Sequence, residues 1–391
     1  MDVLYMGYFC NEQLFNQLIE KGSNSSHARQ QLENKLLRGL IENLSPKDTL
    51  SIISYLPDVL ERKGREEIWN GNTIKYLWCN KKNPISVFKA IFKNVINIIN
   101  WNKGKDSKVV FIYSVNLLHA IPVLLLRKWL KYKVVTLCPE VSVYRKNEKK
   151  QMVSLISRKI EHKLDNSFDG YIVLTKYMNE IVNIRNKPYM VMEGIADISA
   201  DEYEGQKAKA ILYAGGLNKD NGIEILLQAF VELKNTEWEL WICGEGELRE
   251  WVKQVSMANS NIKYYGIIPN EKVLELEKRA TLLINPRLTT NTFTRYSFPS
   301  KTMEYMASGS ATIITRLEGI PEEYFEFVYV WEDETVLGMY NFLKKMFKED
   351  TSCLCQKGKK AQQFVLRNKN VSHQGRRVLE FLSYISKKGR K

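Results

Sequence analysis

Short runs of β-branched and aromatic residues recur along the chain, each followed by a stretch with apolar residues at three and four spacing. The runs predict strands at 3–8, 50–56, 109–113, 134–137, 171–174 and 189–192 in the first half. In the second half they predict strands at 210–214, 239–243, 263–265, 281–285 and 311–315. Strand and helix patterns in alternation are the signature of parallel α/β units. Between the two series lies 195–209, rich in acids, glycine and small polar residues, which reads as a linker. The stretch 370–385 has helical spacing but no strand of its own to cover, so it is expected to cross back to the first domain. The expected organisation is therefore a first domain over 1–197, a second over 198–369, and a terminal helix over 370–391. The predicted fold class is α/β, two Rossmann-like domains facing across a cleft.

The pattern at 87–99 calls for separate weighing. Val87, Phe88, Ile91, Phe92, Val95 and Ile98 would share one helical face, with Lys89 and Lys93 off it. A helix packing that face on a sheet is the expectation, and contact with a membrane interface is the alternative.

Length agrees with this division, since 391 residues suit two α/β domains of roughly 150 to 200 residues each. The formal net charge of +14 is concentrated at Arg127, Lys128, Lys131 and Lys133, at 145–150, at Arg158 and Lys159, and at 387–391. Such charge favours anionic partners such as lipid headgroups or a lipid diphosphate. Nucleic acid is disfavoured, because no binding motif accompanies the charge and the aromatics are distributed as core. Apolar runs such as 120–126 end well short of the ~20 residues that a spanning helix needs. The first residues contain an acid rather than a basic leader pattern, so a cytoplasmic protein is expected, with possible peripheral contact at the inner membrane face. Cys10, Cys79, Cys138, Cys243, Cys353 and Cys355 lack disulfide or zinc spacing and are expected as reduced thiols. No metal-ligand spacing is evident either.

The chemistry concentrates at Tyr296-Ser-Phe-Pro-Ser-Lys-Thr-Met-Glu304-Tyr-Met-Ala-Ser-Gly309, which follows a predicted strand through a polar loop and opens a helix. A helix start presents free peptide N–H groups and a positive dipole end, which suit a diphosphate. Ser300, Lys301 and Thr302 lie in that first turn, and Lys301 would add a full charge. Glu304 lies about one turn further in, where a carboxylate can accept two ribose hydroxyls. Gly309 reads as a left-handed cap.

Three further motifs precede this block in order: Tyr-Ala-Gly215-Gly216-Leu-Asn-Lys-Asp-Asn221-Gly222, then Ile-Cys-Gly244-Glu245-Gly246-Glu247, then Tyr265-Gly266-Ile267-Ile-Pro269. With them, the second half resembles the donor domain of the retaining GT-B glycosyltransferases of the large family 4 group. The resemblance implies that Gly215 and Gly216 approach the donor phosphates, that Gly244, Glu245, Gly246 and Ile267 line the base pocket, and that Ser300, Lys301, Thr302 and Glu304 hold the diphosphate and ribose. It implies a nucleotide-diphosphate sugar as donor substrate, a UDP-sugar first among them, with no further cofactor and no metal. The acceptor would be a glycan or polyprenyl-diphosphate-linked glycan in bacterial surface polysaccharide synthesis.

The chain departs from the family pattern at three positions. Tyr296 stands where the family has an acid eight residues before Glu304, and Gly216 and Asn221 stand where it has an Arg and a Lys. A departing diphosphate needs its charge stabilised, so Arg287, Arg295 and Lys301 are the expected substitutes. In the first half the resemblance is architectural. His119 is a candidate catalytic residue in place of the family's histidine, and Gly7, Tyr8 and Glu140 are candidates for the acceptor side. The missing contacts leave a rival reading, a catalytically inactive binding subunit with the same fold.

Overall fold

The computed structural model describes residues 1–391 except 24–25, 57–64, 81–82, 104–106, 142–163, 165, 198–202, 204, 235 and 389–391. The basic clusters at 145–150 and at Arg158 and Lys159, and the last residues of the tail, lie outside the described residues. The chain forms two compact units, Met1–Ile195 with Val371–Lys391, and Ala196–Asn370.

The first unit begins with β1 (Asp2–Gly7), α1 (Glu12–Glu20), α2 (His27–Asn43), β2 (Thr49–Leu56), β3 (Arg65–Trp69) and β4 (Asn72–Trp78). It continues with α3 (Pro84–Trp101), β5 (Lys108–Tyr113), α4 (Leu117–Leu130), β6 (Lys133–Cys138), β7 (Gly170–Val173), α5 (Lys176–Val182) and β8 (Tyr189–Val191). Its sheet runs β3-β4-β2-β1-β5-β6-β7-β8, parallel apart from the β3–β4 hairpin. The expected strands are present, whereas the hairpin is an addition to them. Its turn is Asn70-Gly71, with φ of 47° and 75°, the double left-handed turn that suits the twist of two adjacent strands.

The second unit contains β9 (Ala208–Ala214), α6 (Ile223–Glu232), β10 (Glu239–Cys243), α7 (Arg249–Ala258), β11 (Ile262–Gly266), α8 (Asn270–Arg279) and β12 (Ala280–Asn285). It ends with α9 (Ser300–Ala307), β13 (Ala311–Thr315), β14 (Tyr329–Trp331), α10 (Val336–Met346) and α11 (Thr351–Asn368). The three-residue strand β14 is a second unexpected element. The strands pair in parallel in the order β11-β10-β9-β12-β13-β14. The first strand of this unit therefore lies in the middle, and the winding reverses between β9 and β12. At such a switch point, loops leave the strand ends in opposite directions and open a crevice. The four central strands, β10, β9, β12 and β13, are almost wholly buried and largely apolar, as expected for a sheet covered on both faces.

The terminal helix α12 (Val371–Lys387) belongs to the first unit and lies against α2. Its inward side chains Val378, Leu379, Leu382 and Ile385 join the core formed with Leu36, Leu37 and Leu40. The two helices meet backbone to backbone at Gly39 and Gly375. A Cβ at Gly375 would lie 2.1 Å from the Gly39 carbonyl oxygen, so neither position has room for a side chain.

Gly375→Ala is therefore expected to push α12 off α2 and destabilise the first unit by about 1 to 3 kcal/mol, the usual cost of overpacking. Chemical denaturation of the full chain measures this, with Gly71→Ala testing instead the left-handed turn where space is open.

Candidate donor site at the strand switch point

The glycine motifs act by removing side chains where backbone meets backbone. After β9, the Gly215 N–H donates to the Cys243 carbonyl at 3.0 Å, and the Leu217 N–H donates to that of Glu245 at 2.8 Å. Gly244, at φ 138°, presses so closely on this turn that a Cβ would lie 1.8 Å from the Gly215 oxygen, and one at Gly246 would lie 2.5 Å from that of Leu217. Gly222, at φ 71°, starts α6 and would meet the Pro286 oxygen at 2.0 Å. The Leu288 N–H completes the join by donating to the Asp220 carbonyl at 3.1 Å. The loops after β9, β10 and β12 thus form one tightly packed rim.

On this rim Asn221 has a structural task. Its side-chain amide donates to the Gly216 carbonyl at 2.7 Å, and the Tyr213 hydroxyl donates to the same oxygen at 2.6 Å. Where the family pattern has a cation, this chain has an amide that fixes the turn. Arg287 stands beside the same turn, half-buried between Asp220, Tyr213 and the ring of Phe293, whose centroid is 4.9 Å from the guanidinium carbon. Its buried Nε has no hydrogen-bond partner among the described residues. Burial lowers the Arg287 pKa and Asp220 opposes that shift, but an arginine this far above neutrality stays charged.

Helix α9 is anchored to the same strand. The Tyr305 hydroxyl, fully buried, accepts from the Ala214 N–H at 2.8 Å and donates to the Ala214 carbonyl at 3.2 Å. Thr302 is also buried and receives the Asn285 amide at 3.1 Å. Ser300 is exposed at the first turn, and Pro299 before it supplies no side-chain cap. Gly309 has φ 78°, the left-handed cap its position suggests. These contacts tie the start of α9 to the carboxyl end of β12 and its second turn to the end of β9.

Lys301 differs from expectation. Its ammonium bridges Glu304 and Glu277, the latter at 3.3 Å, instead of standing clear as a charge for a diphosphate. The i,i+3 spacing on α9 brings Lys301 to Glu304, and α8 supplies the buried Glu277. Burial and the neighbouring Glu304 push the Glu277 carboxyl well above the usual range, while Lys301 opposes them. Burial alone would lower Lys301, but the two carboxylates outweigh it and hold its ammonium above the usual value. Lys301 therefore orients Glu304, which remains partly exposed. Glu277 is absent from the residues that the sequence pattern singles out, although it occupies an inward position four residues after Val273, where an apolar residue is expected.

The other predicted donor residues divide. Gly244, Glu245 and Gly246 form the β10 turn, with Glu245 paired to Arg249 at 3.1 Å, and Ile267 is 74% exposed just after β11. Arg295 sits on a 3₁₀ turn at Thr292–Tyr296 and pairs with Glu318 at 3.1 Å. That pairing leaves Arg287 as the better-placed cation for the glycine turn.

In the first unit, Gly7 ends β1 against Glu33 of α2, whose carboxylate accepts from the Tyr8 N–H and the Tyr5 hydroxyl, each at 2.8 Å. A Cβ at Gly7 would lie 2.3 Å from that carboxylate. His119 is fully buried, its ring 5.1 Å from that of Tyr8 and 4.7 Å from that of Tyr55. Its ring packs between these two tyrosines in the interior of the first unit. Its place one helical turn before the buried Val123 on α4 turns it inward, and a lone helical histidine carries no signal of which tyrosines it will meet. Glu140 is exposed after β6.

Residues 208–335 match the family model described as glycosyl transferases group 1. The match begins with β9 and spans every element of the site just described in the second unit. No curated protein matches the sequence. Among solved structures, OtsA in its apo form is similar over 98% of this chain and 99% of its own, with a TM-score of 0.68 and 8% identity. HepE of Anabaena, in complex with UDP and glucose, is similar over 98% and 100%, with a TM-score of 0.65 and 12% identity. A glycosyltransferase from Rickettsia africae is similar over 99% of both chains, with a TM-score of 0.65 and 14% identity. These likenesses show a shared fold, two parallel-sheet α/β domains of the GT-B type.

Glu33 yields a test of the first unit. Burial pushes its carboxyl from the ordinary 4.5 up to about 7, against the hydrogen bonds from Tyr8 and Tyr5 that lower it. The folded state then holds a proton that the unfolded chain has lost, so stability from this group is full below pH 4.5 and is lost as pH rises through about 7. Relative to Glu33→Gln, the wild type is expected to lose stability across that interval, as read by urea denaturation at a series of pH values.

Proposed function

We propose that the chain is a glycosyltransferase that moves a sugar from a nucleoside-diphosphate donor, a UDP-sugar first among them, to a hydroxyl of a glycan or lipid-linked acceptor with retention. The observation that carries this reading is the Arg287 guanidinium beside the Gly215–Gly216 turn, at the strand switch point, with Glu304 on the helix that follows β12. The family match over the same residues, and the UDP and glucose held in the complex of the Anabaena relative, point the same way.

In this reading the glycine turns admit the diphosphate close to the backbone. The peptide N–H groups at the start of α9 receive it, and Glu304 accepts the ribose hydroxyls. The bond between the anomeric carbon and the diphosphate oxygen breaks, the acceptor oxygen bonds that carbon from the same face, and the hydroxyl proton passes to the departing diphosphate. Arg287 stabilises the negative charge that develops on the leaving group without a metal. Lys301 and Glu277 hold Glu304 in place. In the first unit, Tyr8 and the exposed Glu140 are the proposed acceptor-side groups, and surface polysaccharide assembly at the cytoplasmic membrane face is the proposed setting.

The rival reading, a binding subunit without turnover, is favoured by one observation: Asn221 spends its amide on the Gly216 carbonyl and offers no charge in the cation's place.

A thermal-shift and calorimetric screen of UDP, GDP, ADP and their sugars tests the donor site. One nucleotide at a hundredfold excess over its Kd is expected to stabilise the protein by about 2.7 kcal/mol. Glu304→Ala is expected to lose most of that shift, and no binding by any of the three sinks the proposal. Arg287→Ala is expected to lower turnover by about 100-fold or more, as loss of a transition-state charge partner does, while UDP still binds. Donor binding by wild type with no turnover on any acceptor would favour the rival.

A further inference from the structure

Helix α3 is turned from the orientation its sequence pattern suggests: of the expected apolar face, Ile98 is buried and Val87, Ile91 and Val95 are half-buried, while Phe88 and Phe92 point outward. Its inward face consists of Ser86, Ala90, Asn94, Ile98 and Trp101. The small or polar members are held by specific contacts: Ser86 accepts from the Asn80 N–H at 2.9 Å, and Asn94 donates to the Tyr55 hydroxyl and, at 3.1 Å, to the Leu118 carbonyl of α4. Ala90 allows the close approach. The large apolar residues Ile85, Phe88, Phe92 and Ile96 are left outward, with Phe88 70% and Phe92 57% exposed.

The neighbouring helix extends this surface. The crossovers β4-α3-β5 and β5-α4-β6 run in the same direction across the sheet and so place both helices on one face. On α4, Leu125 is 73% and Trp129 68% exposed. Interleaved with these side chains are Lys89 and Lys93 on α3 and Lys128 on α4, all exposed, and neither helix contains an acidic residue. No described helix is long and apolar enough to cross a membrane, so this surface would lie on a bilayer and not span it.

We infer that the outward face of α3 and α4 docks the protein on an anionic lipid bilayer, with the aromatic and aliphatic side chains entering the headgroup boundary and the lysines pairing with lipid phosphates. The chemistry decides against the main alternative, a second copy of the chain. A self-complementary contact would bring Lys89, Lys93 and Lys128 against their own counterparts with no acid on either helix to meet them. A surface of lipid headgroups supplies the missing negative charge. An apolar stripe of this size, carrying basic residues and outside the core, is the pattern of an interfacial helix.

Co-sedimentation of the full-length protein with phosphatidylcholine vesicles, with and without phosphatidylglycerol, is the test. Wild type is expected to bind the phosphatidylglycerol vesicles, and binding should weaken as salt rises. Phe88→Ser and Phe92→Ser should each weaken binding by about tenfold, since each removes one buried aromatic from the interface. Lys89→Glu with Lys93→Glu should abolish the preference for phosphatidylglycerol. All these side chains are exposed, so unchanged thermal melts will show that the variants fold. Absence of wild-type binding, or variants that bind like wild type, would overturn the inference. So would a wild-type dimer in analytical ultracentrifugation that Phe88→Ser dissociates without changing lipid binding.

Discussion

Backbone packed directly on backbone is the constraint on which the second unit's site depends. The turn after β9 is clamped between those after β10 and β12. The clamp closes only because Gly244, Gly246 and Gly222 present no side chain to the Gly215, Leu217 and Pro286 carbonyls. Two of these glycines also adopt positive φ, at 138° and 71°, which few other residues would tolerate. The rim left by this packing is tightly packed and presents backbone where most loops present side chains. In the proposed reading, such a rim is what lets the donor phosphates approach the backbone closely.

Charge is distributed on this frame in an unexpected way. The half-buried Arg287 lies beside the glycine turn, while Lys301 is held between two carboxylates. A buried acid such as Glu277 is costly unless paired, and pairing with Lys301 offsets that cost while fixing the direction of Glu304. The amide of Asn221 and the hydroxyl of Tyr305 make equivalent fixings on the backbone side. Several polar residues of the site thus hold its shape, while Glu304 remains partly exposed.

The first unit follows the same logic with different parts. Glu33 ties α2 to the end of β1 through Tyr5 and the Tyr8 N–H, and the glycine contact at Gly39 and Gly375 seats α12 on α2. On the other side, hydrogen bonds from Asn94 help fix α3 with Ile98 and Trp101 inward and leave Phe88 and Phe92 in solvent. Helix orientation is set there by directional contacts acting together with the buried Ile98 and Trp101.

The sequence by itself determined most strands of both sheets, the division into two α/β units and the ordered glycine motifs. These features are local: strand runs, helical spacing and turn chemistry act over a few residues. The Asn70-Gly71 turn of the β3–β4 hairpin is a signal of the same local kind, although the strand runs alone do not disclose it, and β14 is too short for a periodic signal. Only the tertiary structure decided what each side chain meets. It buried His119 between two tyrosine rings, turned Lys301 toward Glu277 and set Arg287 beside the glycine turn. It also left Phe88 and Phe92 of α3 facing outward. The partners in each case come from other helices and strands, and no local pattern records which elements the fold brings together.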